Sequence, residues 1–160
     1  APAAGDPGAD RWRGGNWTGM AYTSAHSGRR VRALLADAGY PEAYYTNAVK
    51  CFPCDGEDNR EPTDEELANC RPYLREEIEQ VDPVAVVPTG KHATRSVLAM
   101  ADRGLDGFLD VVLSPLELDG LPPVVPLLHP SYADVWRARL GYDREGYVAA
   151  LRATLAACRD

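Results

Sequence analysis

Two apolar runs constrain this chain more than anything else in it. Residues 83–90, PVAVVPTG, and residues 124–132, VVPLLHPSY, are nearly continuous in valine, leucine and proline, and end on a glycine or a polar cluster. A strand with one wet face alternates apolar and polar residues, whereas an unbroken run belongs to a strand buried on both faces. Such strands need helices over them, and the flanking segments supply helical patterns. SGRRVRALLADAG (27–39) has Val31, Leu34 and Leu35 at helical spacing and Gly39 as a stop. PTDEELANCRPYLREEIEQV (62–81) starts with Thr63 as N-cap and Glu66 three residues on, and Pro72 predicts a kink or two short helices. KHATRSVLAMADRG (91–104) reads as the next helix, and residues 133–158 as one closing amphipathic helix. AYYTNAV (43–49) is a strand candidate, CFPCDGEDNREP (51–62) a turn-rich loop, and LDVVLSPLELDG (109–120) a weaker strand or hairpin. Alternating helices and strands predict an α/β fold with a mostly parallel sheet.

In such sheets, sites form at the carboxyl ends of strands. Asn47, Thr89–Gly90 and His129 all fall at predicted strand ends. A His-Pro turn is often structural, with Ser131 free to cap the following helix, and an Asn ending a strand is commonly a turn residue. Together they offer something else. An Asn amide has a donor and an acceptor that match a pyrimidine edge, and a His can donate to an oxygen gaining negative charge. Gly90, Lys91 and His92 lie at a strand-to-helix turn whose free amides suit a phosphate, and a solvated helix start explains them equally. His92 reads as a surface residue, and His26 is ambiguous.

The chain has 160 residues, read as one domain over 1–160 that buries roughly two-thirds of its unfolded surface. No apolar run approaches the ~20 residues of a membrane span, so no membrane role is expected. The opening APAAGDPGAD has no lead-in, which reads as a domain lacking its N-terminal segment. Net charge is −7, with 24 acidic and 17 basic residues. Only Lys50 and Lys91 of those 17 are lysines, leaving fifteen arginines. Nucleic-acid binders are usually basic. Two readings stand: a protein that does not touch nucleic acid, or a halophilic-type composition in which a local arginine and backbone-amide patch does the binding.

Four cysteines are present: Cys51, Cys54, Cys70 and Cys158. Without an export signal the expected setting is the reducing cytoplasm, so metal or cluster ligation outranks disulfides. Cys51-Phe-Pro-Cys54 has the redox CxxC spacing, yet it runs into a loop with no helix dipole to lower a thiolate pKa. Cys51 and Cys70 bracket a strand exit and a helix, and read either as half of a metal or cluster site or as two buried thiols.

Four stretches, YYTNAVKCFPC, NREPTDEELANCRPYL, PVAVVPTGKHA and LLHPSY, occur in that order over residues 44–132. Together they resemble the uracil-DNA glycosylase superfamily, and are most similar to its iron–sulfur-containing families four and five. The matching patterns are TN-x-V-[KR]-C-x-P, N-[RK]-x-P-T-x-E-E-x-x-x-C-x-P-x-L, a strand ending L-G-x-x-A, and His-Pro-Ser. The resemblance implies a three-layer α/β/α sandwich that flips uracil, or another deaminated base, from DNA and hydrolyses its N-glycosidic bond, expected to act as a monomer on uracil-containing DNA. It implies that Asn47 reads the uracil edge, that His129 hydrogen-bonds the base O2 as it becomes anionic, and that Ser131 steadies a phosphate.

NWTGMAYTSAHSG resembles the family-five pattern NRTGRPFTGDxxG, placing Tyr22 where an aromatic ring stacks on the flipped base. APAA resembles the family-five GLAPA, which lacks a water-positioning acid. GDPGAD alternatively resembles the family-four GEAPGxxE and puts Asp6 and Asp10 near the water. Cys51 and Cys70 match two ligands of a 4Fe-4S cluster, and Cys54 and Cys158 match nothing in the pattern. The rival reading is a catalytically inactive nucleic-acid or nucleotide-binding module of the same fold.

Overall fold

The computed structural model describes residues 26–49, 54–55, 58–59 and 61–159, with backbone alone at 26, 54–55 and 58–59. Asp6, Asp10, Tyr22 and Cys51 lie outside the described residues. Six helices are seen among them: α1 His26–Asp37, α2 Asp64–Val81, α3 Lys91–Ala99, α4 Phe108–Val111, α5 Ala133–Arg139 and α6 Arg144–Ala157. A short antiparallel pair, β1 Cys54–Asp55 with β2 Asp58–Asn59, lies within the predicted turn-rich loop.

The two apolar runs lie side by side and parallel, as expected. Bridges join Val86 to Val124 and Thr89 to Leu127, and Leu116 joins Val124 antiparallel from the other side. The fold is α/β, with little regular strand. Prolines explain why. Along the parallel pair, Val86 N–H donates to Pro123, Val125 N–H to Val86, Leu127 N–H to Pro88, and Gly90 N–H to Leu127. The bond missing from that series would come from Pro88, which has no N–H. Pro126 leaves the same gap on the other side, where it accepts from Leu113 N–H and cannot donate. Each ladder is thereby cut into isolated bridges.

Apolar clusters form around this sheet. Val31 and Leu35 of α1 and Tyr147, Val148, Leu151 and Leu155 of α6 pack with Val125, Leu127 and Leu128. Leu74 and Ile78 of α2 and Val97 and Leu98 of α3 pack with Val124. Leu127, Leu151, Val124 and Val125 are fully buried, so the central run is covered by helices as its unbroken hydrophobicity predicts.

Three elements depart from expectation. Residues 43–49 are irregular rather than a strand. Their side chains are engaged elsewhere: Tyr45 under the Arg32 guanidinium at 4.2 Å, Tyr44 donating to Glu77 at 2.9 Å, and Val49 packed with Leu67 and Cys70. A cavity of about 410 Å³ separates residues 43–48 from residues 84–89. Helix α2 runs unbroken through Pro72. Its capping box at Thr63 and its buried row Leu67, Cys70, Leu74 and Ile78 span the proline, which is exposed. The closing helix is two helices. Gly141 has φ 83°, and Asp143 restarts the chain by accepting from Gly146 N–H at 2.7 Å.

Candidate active site

The parallel pair brings two predicted site residues together. Gly90 follows the bridge at Thr89 and His129 follows the bridge at Leu127, so both leave the sheet at one end. Gly90 has φ 90° and ψ 167°, a region essentially confined to glycine. A methyl group on it would stand 3.2 Å from Cβ and Cδ2 of His129. The imidazole therefore lies against bare backbone.

The turn after His129 sets its tautomer. Ser131 N–H donates to His129 Nδ1 at 3.1 Å. A neutral ring that accepts at Nδ1 carries its proton on Nε2, ready to donate. The residue keeps an open face to solvent. Loss of water from its covered side holds its pKa below the ordinary histidine value, and the charge of His92 pushes the same way. Helix α5 begins only at Ala133, with no side-chain cap, so Ser131 is not the expected N-cap. Its N–H is committed to the imidazole, and its hydroxyl lies 3.2 Å from that of Ser27.

Several residues support this turn that sequence alone did not single out. Arg30 of α1 donates to the Pro130 carbonyl at 3.1 Å and to Asp134 at 2.9 Å. The Asp134 carboxyl is held below its usual range first by Arg30 and then by Arg137. Leu128 N–H donates to the Tyr147 hydroxyl at 3.1 Å. Tyr147 is buried, and that burial pushes its pKa up to about 12. Arginines falling within helical patterns, and an aromatic at a core spacing, carry no sequence signal of such a role.

His92 differs from the surface residue expected. It is partly buried, its Nε2 lies 3.4 Å from Glu61, and its Nδ1 is buried with no partner among the described residues. Lys91 is exposed at the first residue of α3. Thr94, fully buried, donates its hydroxyl to the Gly90 carbonyl at 2.8 Å and pins the start of that helix.

Asn47 is half-buried, and its amide makes no hydrogen bond to another described residue. Its neighbours Thr46 and Ala48 line the 410 Å³ cavity together with Pro88, Thr89 and Ala93. The Asn47 segment thus faces the strand that ends at Gly90.

Cys70 is buried and packs with Val49 and Leu67. No group of three potential metal-ligating side chains exists among the described residues. Of the two cysteines matched to the cluster pattern, Cys70 falls among the described residues and Cys51 outside them. Cys158 is a half-buried free thiol whose pKa is raised by burial and then by Glu117. Among the described residues no helix is long and apolar enough to cross a membrane.

Comparison with known proteins agrees with the motifs. Residues 4–155 match the model of the uracil DNA glycosylase superfamily. The chain is 39% identical over 100 residues to a type-5 uracil-DNA glycosylase of Pyrobaculum aerophilum, covering 53% of this chain and 42% of that one. It is 32% identical over 108 residues to a type-4 uracil-DNA glycosylase of Thermotoga maritima, covering 66% and 53% respectively. The chain spans about half the length of these curated relatives. With the family model covering most of its residues, the chain belongs to the uracil DNA glycosylase superfamily.

Proposed function

We propose that this chain is a monofunctional DNA glycosylase that hydrolyses the bond between uracil and deoxyribose in DNA. One observation carries the reading: His129 is held as a neutral imidazole by Ser131 N–H, leaving Nε2–H as a donor at the open end of the sheet. In the reaction the C1′–N1 bond breaks and its electron pair passes to the uracil, whose O2 gains negative charge. A donor already aimed at that oxygen stabilises the transition state more than the bound base. Water adds at C1′ and gives up a proton.

In this reading Asn47 pairs with the edge of the flipped base, and the cavity lined by its neighbours Thr46 and Ala48 supports that role. Tyr22 stacks on the base, and Asp6 or Asp10 positions the water. Ser131, Gly90 and Lys91 meet the strand's phosphates. In this reading the chain is a three-layer α/β/α sandwich, a single domain acting as a monomer, and the packing of α1 and α6 on Val125 and of α2 and α3 on Val124 supports it. Cys51 and Cys70 belong to a 4Fe-4S site completed by other thiolates. Such a cluster would supply a structural brace for the loop after Asn47, and no step of the hydrolysis passes through it.

The test is incubation with single- and double-stranded oligonucleotides containing one uracil, followed by alkali to cleave abasic sites. Cleavage at the uracil position is expected, with His129→Ala lowering turnover by about 10²–10³-fold and affecting binding less. Measurable binding without cleavage would overturn the enzyme reading in favour of a binding module.

A further inference from the structure

The stretch that carries His129 reaches beyond its neighbour on one side. Along that side of the strand, Val124 exchanges bonds with Leu116, and Pro126 accepts from Leu113 N–H. Leu128 N–H is the next donor in the series. The neighbouring segment there is α4, Phe108–Val111, and its Val111 carbonyl accepts from Ser114 N–H instead. An amide left orphaned in a buried setting is costly. The acceptor comes from another layer: the Tyr147 hydroxyl of α6, 3.1 Å away.

On the opposite side of the same strand, Gly90 N–H donates to the Leu127 carbonyl, and Arg30 takes the Pro130 carbonyl. The backbone on both sides of His129 is therefore held by groups from α1, α6 and the adjacent strand. We propose that Tyr147 is a positioning residue for His129: its hydroxyl fixes the Leu128 amide and so the direction in which the imidazole leaves the strand. The proposal rests on the glycosylase reading of His129. Tyr147 touches neither substrate nor reacting atoms and acts through the peptide before the histidine. Its place among Val148, Leu151 and Leu155 makes it look like an ordinary core aromatic, yet a phenylalanine would fill the same volume without accepting the bond.

The experiment is Tyr147→Phe in the full chain. Turnover on uracil-containing DNA is expected to fall roughly ten- to a hundredfold, as for a slightly misplaced catalytic group, with KM little changed. In nitrogen-edited NMR spectra the His129 ring and Ser131 amide resonances should shift. In a His129→Ala background the same substitution should have no further effect on turnover. Equal losses in both backgrounds, or unchanged His129 and Ser131 resonances, would overturn the proposal. The spectral arm needs no activity, so an inactive parent protein would sink the glycosylase reading while leaving the positioning question decidable. Should Tyr147→Phe fail to fold, exchange of the Leu128 amide in the parent decides the matter: protection is expected, and rapid exchange would refute it.

Discussion

The side chain of His129 packs against Gly90, where an added methyl group would stand 3.2 Å from the histidine's Cβ and Cδ2. Two demands meet at that glycine, a backbone conformation at φ 90° and an absence of side chain beneath the ring. Gly90→Ala should cost about 1–3 kcal/mol through backbone strain alone and should also push the imidazole outward. Thermal unfolding and uracil excision are expected to fall together. A variant with parental melting temperature and turnover would show that the contact is incidental.

The lowered pKa of His129 fixes a direction for pH effects. Its folded value lies below the ordinary 6.5, so the unfolded chain takes up the proton first as pH falls. The stability this group contributes is complete above that ordinary value and is lost as pH falls through the folded value. Protonation would also place a second N–H against the Ser131 amide. The rate of excision should therefore be flat near neutrality, with an acid limb below the ordinary histidine range. A kcat profile already falling at neutral pH would contradict this.

Helix α2 depends on its first turn. Thr63 N–H donates to Glu66 at 2.9 Å, and Glu66 N–H donates to the Thr63 hydroxyl at 3.2 Å. Thr63→Ala removes half of that reciprocal pair and should cost about 1 kcal/mol, seen as a lower denaturant midpoint. Excision per folded molecule should stay unchanged, because the two bonds of the cap run between Thr63 and Glu66 and neither involves His129 or its turn.

Cys70 separates the two readings of the cysteines. If it is a cluster ligand, protein purified without oxygen shows iron–sulfur visible absorption, and Cys70→Ala abolishes it along with much of the stability. We expect that loss. A colourless parent protein, with Cys70→Ala costing no more than a small core truncation, would leave Cys70 a buried thiol of the Val49–Leu67 cluster.

Residues 124–128 were readable as a buried strand because every side chain on them is apolar, a property of the sequence itself; residues 83–87 are equally apolar yet only partly buried, with Val84 exposed, because they line the cavity facing residues 43–48. The start of α2 at Thr63 was readable for a similar reason, since a capping box is a local hydrogen-bond arrangement between residues three apart. The alignment of Gly90 and His129 at one sheet end follows from the same runs.

Other features needed the folded chain. Residues 43–49 carry strand-like side chains, but Arg32, Glu77 and the Cys70 cluster draw them away from the edge they would pair with. The closing helix breaks at Gly141 although its apolar spacing continues across the break. Local pattern therefore determined that the two apolar runs would share the sheet and where His129 would emerge, and its tautomer follows from the Ser131 N–H two residues on. Only tertiary structure decided its contact with Gly90 and the support of its backbone by Tyr147 and Arg30. Those bring together groups far apart along the chain, 19 residues for Leu128 and Tyr147 and 100 for Arg30 and Pro130, whose meeting no short window of sequence can encode.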